Sequence, residues 1–167
     1  MSVSLTRILS VAIAGSTLSL SMPVQAKDAT PPLATAPAKG VLRVKSLYSF
    51  DETVARIKAD IAAKGIKFFD EIDQSQLGAG ANIELRPSKL LIFGNPPLGV
   101  QFLTSNAVAG LDWPVRMLVA QDADGSIWVA WTDFAFIGDR YAIKDRDPAL
   151  KMATEVSASI ASSVTRK

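Results

Sequence analysis

The sequence predicts a single α+β domain, a mostly antiparallel sheet with helices packed on one face. Three observations predict it. Short β-branched or apolar runs outnumber the helical stretches, only two long segments carry a 3.6-residue apolar period, and two of the short runs are joined by a hairpin turn. The predicted order is β-α-β-β-(short α)-β-β-α.

Val41 to Leu47 is the first strand by its β-branched and apolar content. Ser49 and Glu52 then form a capping-box pattern, which starts a helix. That helix places Val54, Ile57 and Ile61 on one stripe and ends at Gly65, the glycine past its C-terminus. Ile66 to Ile72 alternates weakly and reads as a second strand, and Asp73 to Glu84 is polar and glycine-containing, as a loop or edge segment would be. Lys89 to Gly94 is an unbroken apolar run, the expected central strand, stopped by Asn95-Pro96-Pro97. A short helix is expected within Val100 to Ala109. Val115 to Asp122 and Ser126 to Thr132 flank Asp122-Ala-Asp-Gly125, a hairpin with glycine at the positive-φ position. Asp147 and Pro148 read as N-cap and first residue of the last helix, with Leu150, Ala153, Val156, Ile160 and Val164 as its buried stripe. Leu91, Phe93, Val119 and Val129 are the expected core.

Ahead of this domain, residues 1–26 have the three parts of an export signal. Arg7 supplies positive charge, Ile8 to Leu20 is uncharged and apolar or small, and Val24-Gln25-Ala26 offers a cleavage site. The apolar stretch is shorter than the ~20 residues a membrane-spanning helix needs. The expected location is therefore the periplasm or the exterior, with no stable membrane insertion after cleavage. Residues 27–40 hold three prolines among small residues and read as a linker. The domain occupies residues 41–167.

Without Arg7 the chain has 17 basic and 16 acidic residues, a net charge of +1, which argues against a nucleic-acid partner. The sequence contains no cysteine and no histidine. Ser-His-Asp and Cys-His nucleophilic sites, histidine-ligated zinc and thiolate redox chemistry are therefore closed to it. Asp122-x-Asp124-Gly125 lacks the outer ligands of a calcium loop, because Ala120 and Trp131 occupy those positions. Gly78-x-Gly80 lacks the context of a dinucleotide or phosphate loop, and a flexible loop is expected there. No cofactor and no metal site follows from any motif.

Four polar residues lie beside predicted strand ends: Arg86, Asn95, Asp112 and Asp133. Such residues converge on a ligand or cap turns and brace loops. Arg86 suits an anionic group by its planar fork, and its structural rival is an ion pair with Asp112 or Asp133. Trp128 and Trp131, three apart on one strand, point to opposite faces, one into the core.

Arg86-Pro-Ser-Lys-Leu-Leu-Ile-Phe-Gly-Asn-Pro96, followed by Leu111-Asp112 and by Trp131-Thr-Asp133, resembles the uncharacterised domain of unknown function 302 family. The resemblance spans about Val41 to Val164 and implies a β-α-β(4)-α type of fold. Members often carry an Asp-His pair after the second strand, where this chain has Asp73-Gln74. No activity is established for the family. The expected function is a non-catalytic domain of the cell envelope that binds a small molecule or an envelope protein, with a homodimer as one arrangement. A carboxylate enzyme using Asp112 and Asp133 is the alternative, and an assembly role with Trp113 or Trp128 at a contact is the third.

Overall fold

A computed structural model describes residues 37–166. The export signal and most of the linker lie outside the described residues; residues 37–40 form a turn in which Val41 N donates to Ala38 O at 2.9 Å.

The sheet has five antiparallel strands in the order β1-β5-β4-β3-β2. These are β1 (Val41–Lys45), β2 (Lys67–Asp73), β3 (Ser88–Gly94), β4 (Val115–Gln121) and β5 (Ile127–Thr132). The run expected at the centre, β3, is an interior strand, paired with β2 and β4, and β4 occupies the middle. Gly125 takes φ +79° in the β4–β5 hairpin, as its turn chemistry requires.

The main core lies between one sheet face and two helices, α1 (Phe50–Ala63) and the C-terminal α5 (Asp147–Ser162). Ser49 caps α1 through a bond from Glu52 N, and Gly65 follows its end with φ +63°. Val54, Ile57 and Ile61 meet Leu91, Phe93, Val119 and Val129, all buried. Of the predicted α5 stripe, Ala153, Ile160 and Val164 are buried, while Leu150 and Val156 pack at the core margins. Trp131 is buried in this core, and Trp128, on the other face, carries the Arg43 guanidinium 4.4 Å above its ring.

Three expectations need correction. Residues 73–84 are not simply a loop: Asp73 accepts from Gln76 N at 2.9 Å and so starts a helix, α2 (Gln74–Gly80). Gly78 and Gly80 therefore sit in α2, where a Cβ on Gly78 would strike Ile83 O and Leu85. The short helix begins earlier than expected, as α3 (Pro96–Ser105), because prolines tolerate the first helical turn. A 3-10 helix (Ala107–Leu111) follows it. The last helix takes Arg146 as N-cap, one residue before the predicted Asp147, so Pro148 sits second. A further helix, α4 (Phe134–Arg140), follows β5.

α3, α4 and the first turns of α5 enclose a second, smaller cluster. Phe102, Phe134, Ile137, Tyr141 and Ile143 form it, with Trp113 and Leu98 packed against it.

Candidate functional site

The antiparallel register decides which predicted residues can meet. Phe93 pairs with Val115, Met117 with Trp131, and Val41 with Thr132. The end of β3, the start of β4 and the end of β5 thus share one end of the sheet, bringing Asn95, Asp112 and Asp133 to that end. Arg86 precedes β3 and lies at the other end, where Gln121 N donates to Pro87 O at 2.9 Å. A seven-residue strand of about 20 Å separates Arg86 from Asn95. The four residues do not converge, and Arg86 pairs with neither Asp112 nor Asp133. Gln74, in place of the family histidine, also belongs to the Arg86 end, where its Oε1 accepts from Ser88 Oγ at 2.7 Å.

Two of the three residues at the Asn95 end are committed to structure. Asp112 follows the 3-10 helix, and its carboxylate is 9% exposed. It accepts from Tyr141 Oη at 2.6 Å, Arg116 Nη2 at 2.8 Å and Arg140 Nη1 at 3.1 Å. Bracing is thus the role of Asp112, with Arg116 and Arg140 as the arginines. The Tyr141 hydroxyl donates to this carboxylate, which pushes the phenol above its ordinary 10.0, with burial acting in the same direction. Asp133 caps α4 by accepting from Ala135 N at 3.0 Å, while its own N–H donates to Gly40 O at 2.8 Å.

Asn95 is different. Its backbone oxygen accepts from Leu98 N and Gly99 N at the start of α3, but its side chain makes no capping bond. That amide borders a cavity of about 30 Å³ between the end of β3, α3 and α5. Phe93, Leu98, Phe102, Trp113, Phe134 and Ser157 contribute to its wall. The space is enough for one or two waters or the tip of a larger molecule. Asn95 and Leu98 also border an outer groove of about 270 Å³, with Pro97, Gln101, Pro148 and Met152. No charged side chain lines either space.

Trp113 is set into this wall by close backbone approach. A Cβ on Gly99 would overlap the indole, and one on Gly94 would lie 3.3 Å from Nε1. The other edge of the indole meets Phe69, with ring centroids 6.3 Å apart and planes at 80°. A bulge between Phe68 and Asp70 re-aims Phe69 toward it. Ser157, on α5, is only 1% exposed. Asn95, Trp113 and Ser157 are the residues of the cavity wall that carry a polar side-chain group.

Residues 42–164 match the family described as Domain of unknown function DUF302. The chain belongs to the DUF302 family. Its backbone resembles the crystal structure of an uncharacterized conserved DUF302 protein from Bacillus stearothermophilus. That likeness has a TM-score of 0.69 at 14% identity, over 76% of this chain and 99% of the other. In sequence the chain is similar to parts of two Brucella proteins, each named Fluoride-specific ion channel FluC 1. They come from Brucella suis biovar 1 (strain 1330) and Brucella abortus biovar 1 (strain 9-941). Both are 32% identical over 113 residues, which is 68% of this chain and 44% and 42% of the respective relatives. The chain thus spans less than half the length of these relatives. No helix among the described residues of this DUF302 chain is long and apolar enough to cross a membrane.

Sequence reasoning reached Asn95 but not its surroundings. Nothing in the sequence singles out Ser157, and Trp113 enters only as one of two tryptophans for a contact in an assembly role. Gly94 and Gly99, flanking Asn95 five residues apart, were the available signal, since paired glycines beside a helix start mark a seat for something bulky.

Proposed function

We propose that this DUF302 chain is an exported cell-envelope domain that binds a small, neutral, largely apolar molecule without transforming it. The observation that carries this reading is the cavity beside Asn95, whose wall is apolar except for Asn95, Trp113 and Ser157. A pocket of that composition orients a ligand with a few polar groups and gains affinity from the rest. The absence of charge from its lining selects against carboxylates and phosphates, because a buried ion there would lack a counter-charge. The anionic ligand that Arg86 would suit belongs at the far end of the sheet and is not part of this site. An enzyme built on Asp112 and Asp133 draws no support from the geometry, since Asp112 braces two arginines and a tyrosine and Asp133 caps a helix.

Thermal denaturation against a panel of neutral short-chain alcohols, amides and lactones tests the proposal. A compound held at 100 times its dissociation constant should add ~2.7 kcal/mol of stability. Ser157→Ala removes a donor and nearly keeps the shape of the wall, and Trp113→Phe removes a donor together with part of the wall, so both should diminish that gain. A stabilising compound whose effect is unchanged in both variants would place the site elsewhere. Product formation from a bound compound would make the domain an enzyme. Light scattering of the purified chain decides between monomer and homodimer.

A further inference from the structure

The sheet end that carries the cavity also carries an exposed apolar surface. Phe69 is 38% exposed, Val100 47%, Val108 57% and Leu111 65%. These side chains come from β2, α3 and the 3-10 helix, and the intervening positions tie them together. Phe69 meets Trp113, Trp113 lies on Gly99, and Leu103 packs 3.8 Å from the Cβ position of Gly110. None of the four exposed residues lines the cavity or the groove. Exposed aliphatic and aromatic tips gathered on one face of a domain are the kind of surface that takes a partner or a membrane.

Its margins are cationic. Lys67 stands 5.1 Å over the Phe69 ring, and Arg116 and Arg140 flank Leu111 at roughly half exposure. Arg116 also donates to the Leu111 carbonyl, which places its guanidinium beside that residue's backbone. Asp112 offsets one of the two arginines and is itself 9% exposed, so it presents little negative charge outward. Aliphatic and aromatic tips ringed by lysine and arginine match the boundary between lipid headgroups and acyl chains. The near-zero net charge of the whole chain hides this local arrangement. Two longer relatives that contain a similar stretch are named fluoride-specific ion channels, which accords with a membrane-facing use.

We infer that the Phe69–Val100–Val108–Leu111 surface docks the domain peripherally on an anionic lipid bilayer, with Lys67, Arg116 and Arg140 contacting headgroups. This docking is independent of what the cavity binds.

Sedimentation with lipid vesicles tests it, using the chain recovered from the periplasmic fraction of producing cells. Vesicles of phosphatidylglycerol and phosphatidylethanolamine should pull down the chain, and added salt or a change to phosphatidylcholine should weaken the binding. The double variant Val108→Asp/Leu111→Asp should lose binding by on the order of tenfold or more while keeping the wild-type circular dichroism. Should that variant fail to fold, Lys67→Glu serves instead, lowering binding to the anionic vesicles several-fold and leaving phosphatidylcholine unaffected. Wild-type chain that ignores vesicles of both compositions would overturn the inference. So would variants that bind as wild type, or binding seen only when a membrane protein is present in the vesicles.

Discussion

The two hydrophobic clusters of this domain are built on opposite plans. The first is regular: long strands and two long helices bring Leu91, Phe93, Met117, Val119, Val129, Ile57 and Ile160 together, almost all of them wholly buried. The second is assembled from helices of ten residues or fewer and the start of α5, around aromatic residues and Tyr141, and it borders an unfilled space. Regular elements interdigitate to crystal-like density, whereas short helices meeting at their ends leave gaps and unpaired donors. Stability concentrates in the first cluster, and the candidate cavity opens where the second meets it, with Phe93 and Val156 of the first in its wall.

The comparison fails if the first cluster proves dispensable. Phe93→Ala should cost ~3–5 kcal/mol, read from urea unfolding, because a fully buried ring in an interior strand leaves a cavity that cannot collapse. A cost under ~1 kcal/mol would mean that Phe93 is not packed in an interior strand. Gly99→Ala probes the second cluster. The new methyl must displace the Trp113 indole, for a cost of ~1–3 kcal/mol together with red-shifted tryptophan emission. Unchanged emission would show that the indole is not seated as described. Asp133→Ala removes the cap of α4 and should cost ~1 kcal/mol. A neutral result would mean that α4 is held by Phe134 and Ile137 alone.

The smallest effect is electrostatic and belongs to the first cluster's margin. Lys58 and Lys89 donate to Glu71 and hold its carboxyl below the ordinary 4.5; the Ser75 hydroxyl and then the Gln76 N–H hold Asp73 below 3.8. Folded-state values lowered in this way add stability above the unfolded values, and that part is lost as pH falls through the folded ones. Both groups are solvated, so the contribution is a fraction of a kcal/mol. Unfolding midpoints should decline below about pH 4.5. Glu71→Gln should flatten part of that decline, and an identical slope in the variant would assign it to other carboxylates.

The same contrast explains what could be read from the sequence. Periodicity of two and of 3.6 identifies every element of the first cluster, including the core positions Leu91, Phe93, Val119 and Val129. It needs length to show, and α2 and α4 have seven residues each. Their only written signals are the caps Asp73 and Asp133, single residues that serve equally well in turns. The candidate site suffered from a different gap. Placing polar residues at strand ends is sound, yet Arg86 and Asn95 border the same strand at opposite ends, so proximity in sequence to β3 misleads. Which arginines would reach Asp112 depended on the turn around residues 112–116 and on α4. Ser157 is one small residue on a helical stripe and carries no mark of the cavity it borders.

The seat of Trp113 has an evolutionary reading as well. At position 99 the available room ends at a hydrogen atom, so the sequence there is fixed by the indole opposite and not by the helix that contains it. Partners locked in this way change together or not at all. A library randomised at position 99 alone would return a single letter under selection for a native fold, while one randomised at 99 and 113 together would admit larger residues wherever the facing ring shrinks.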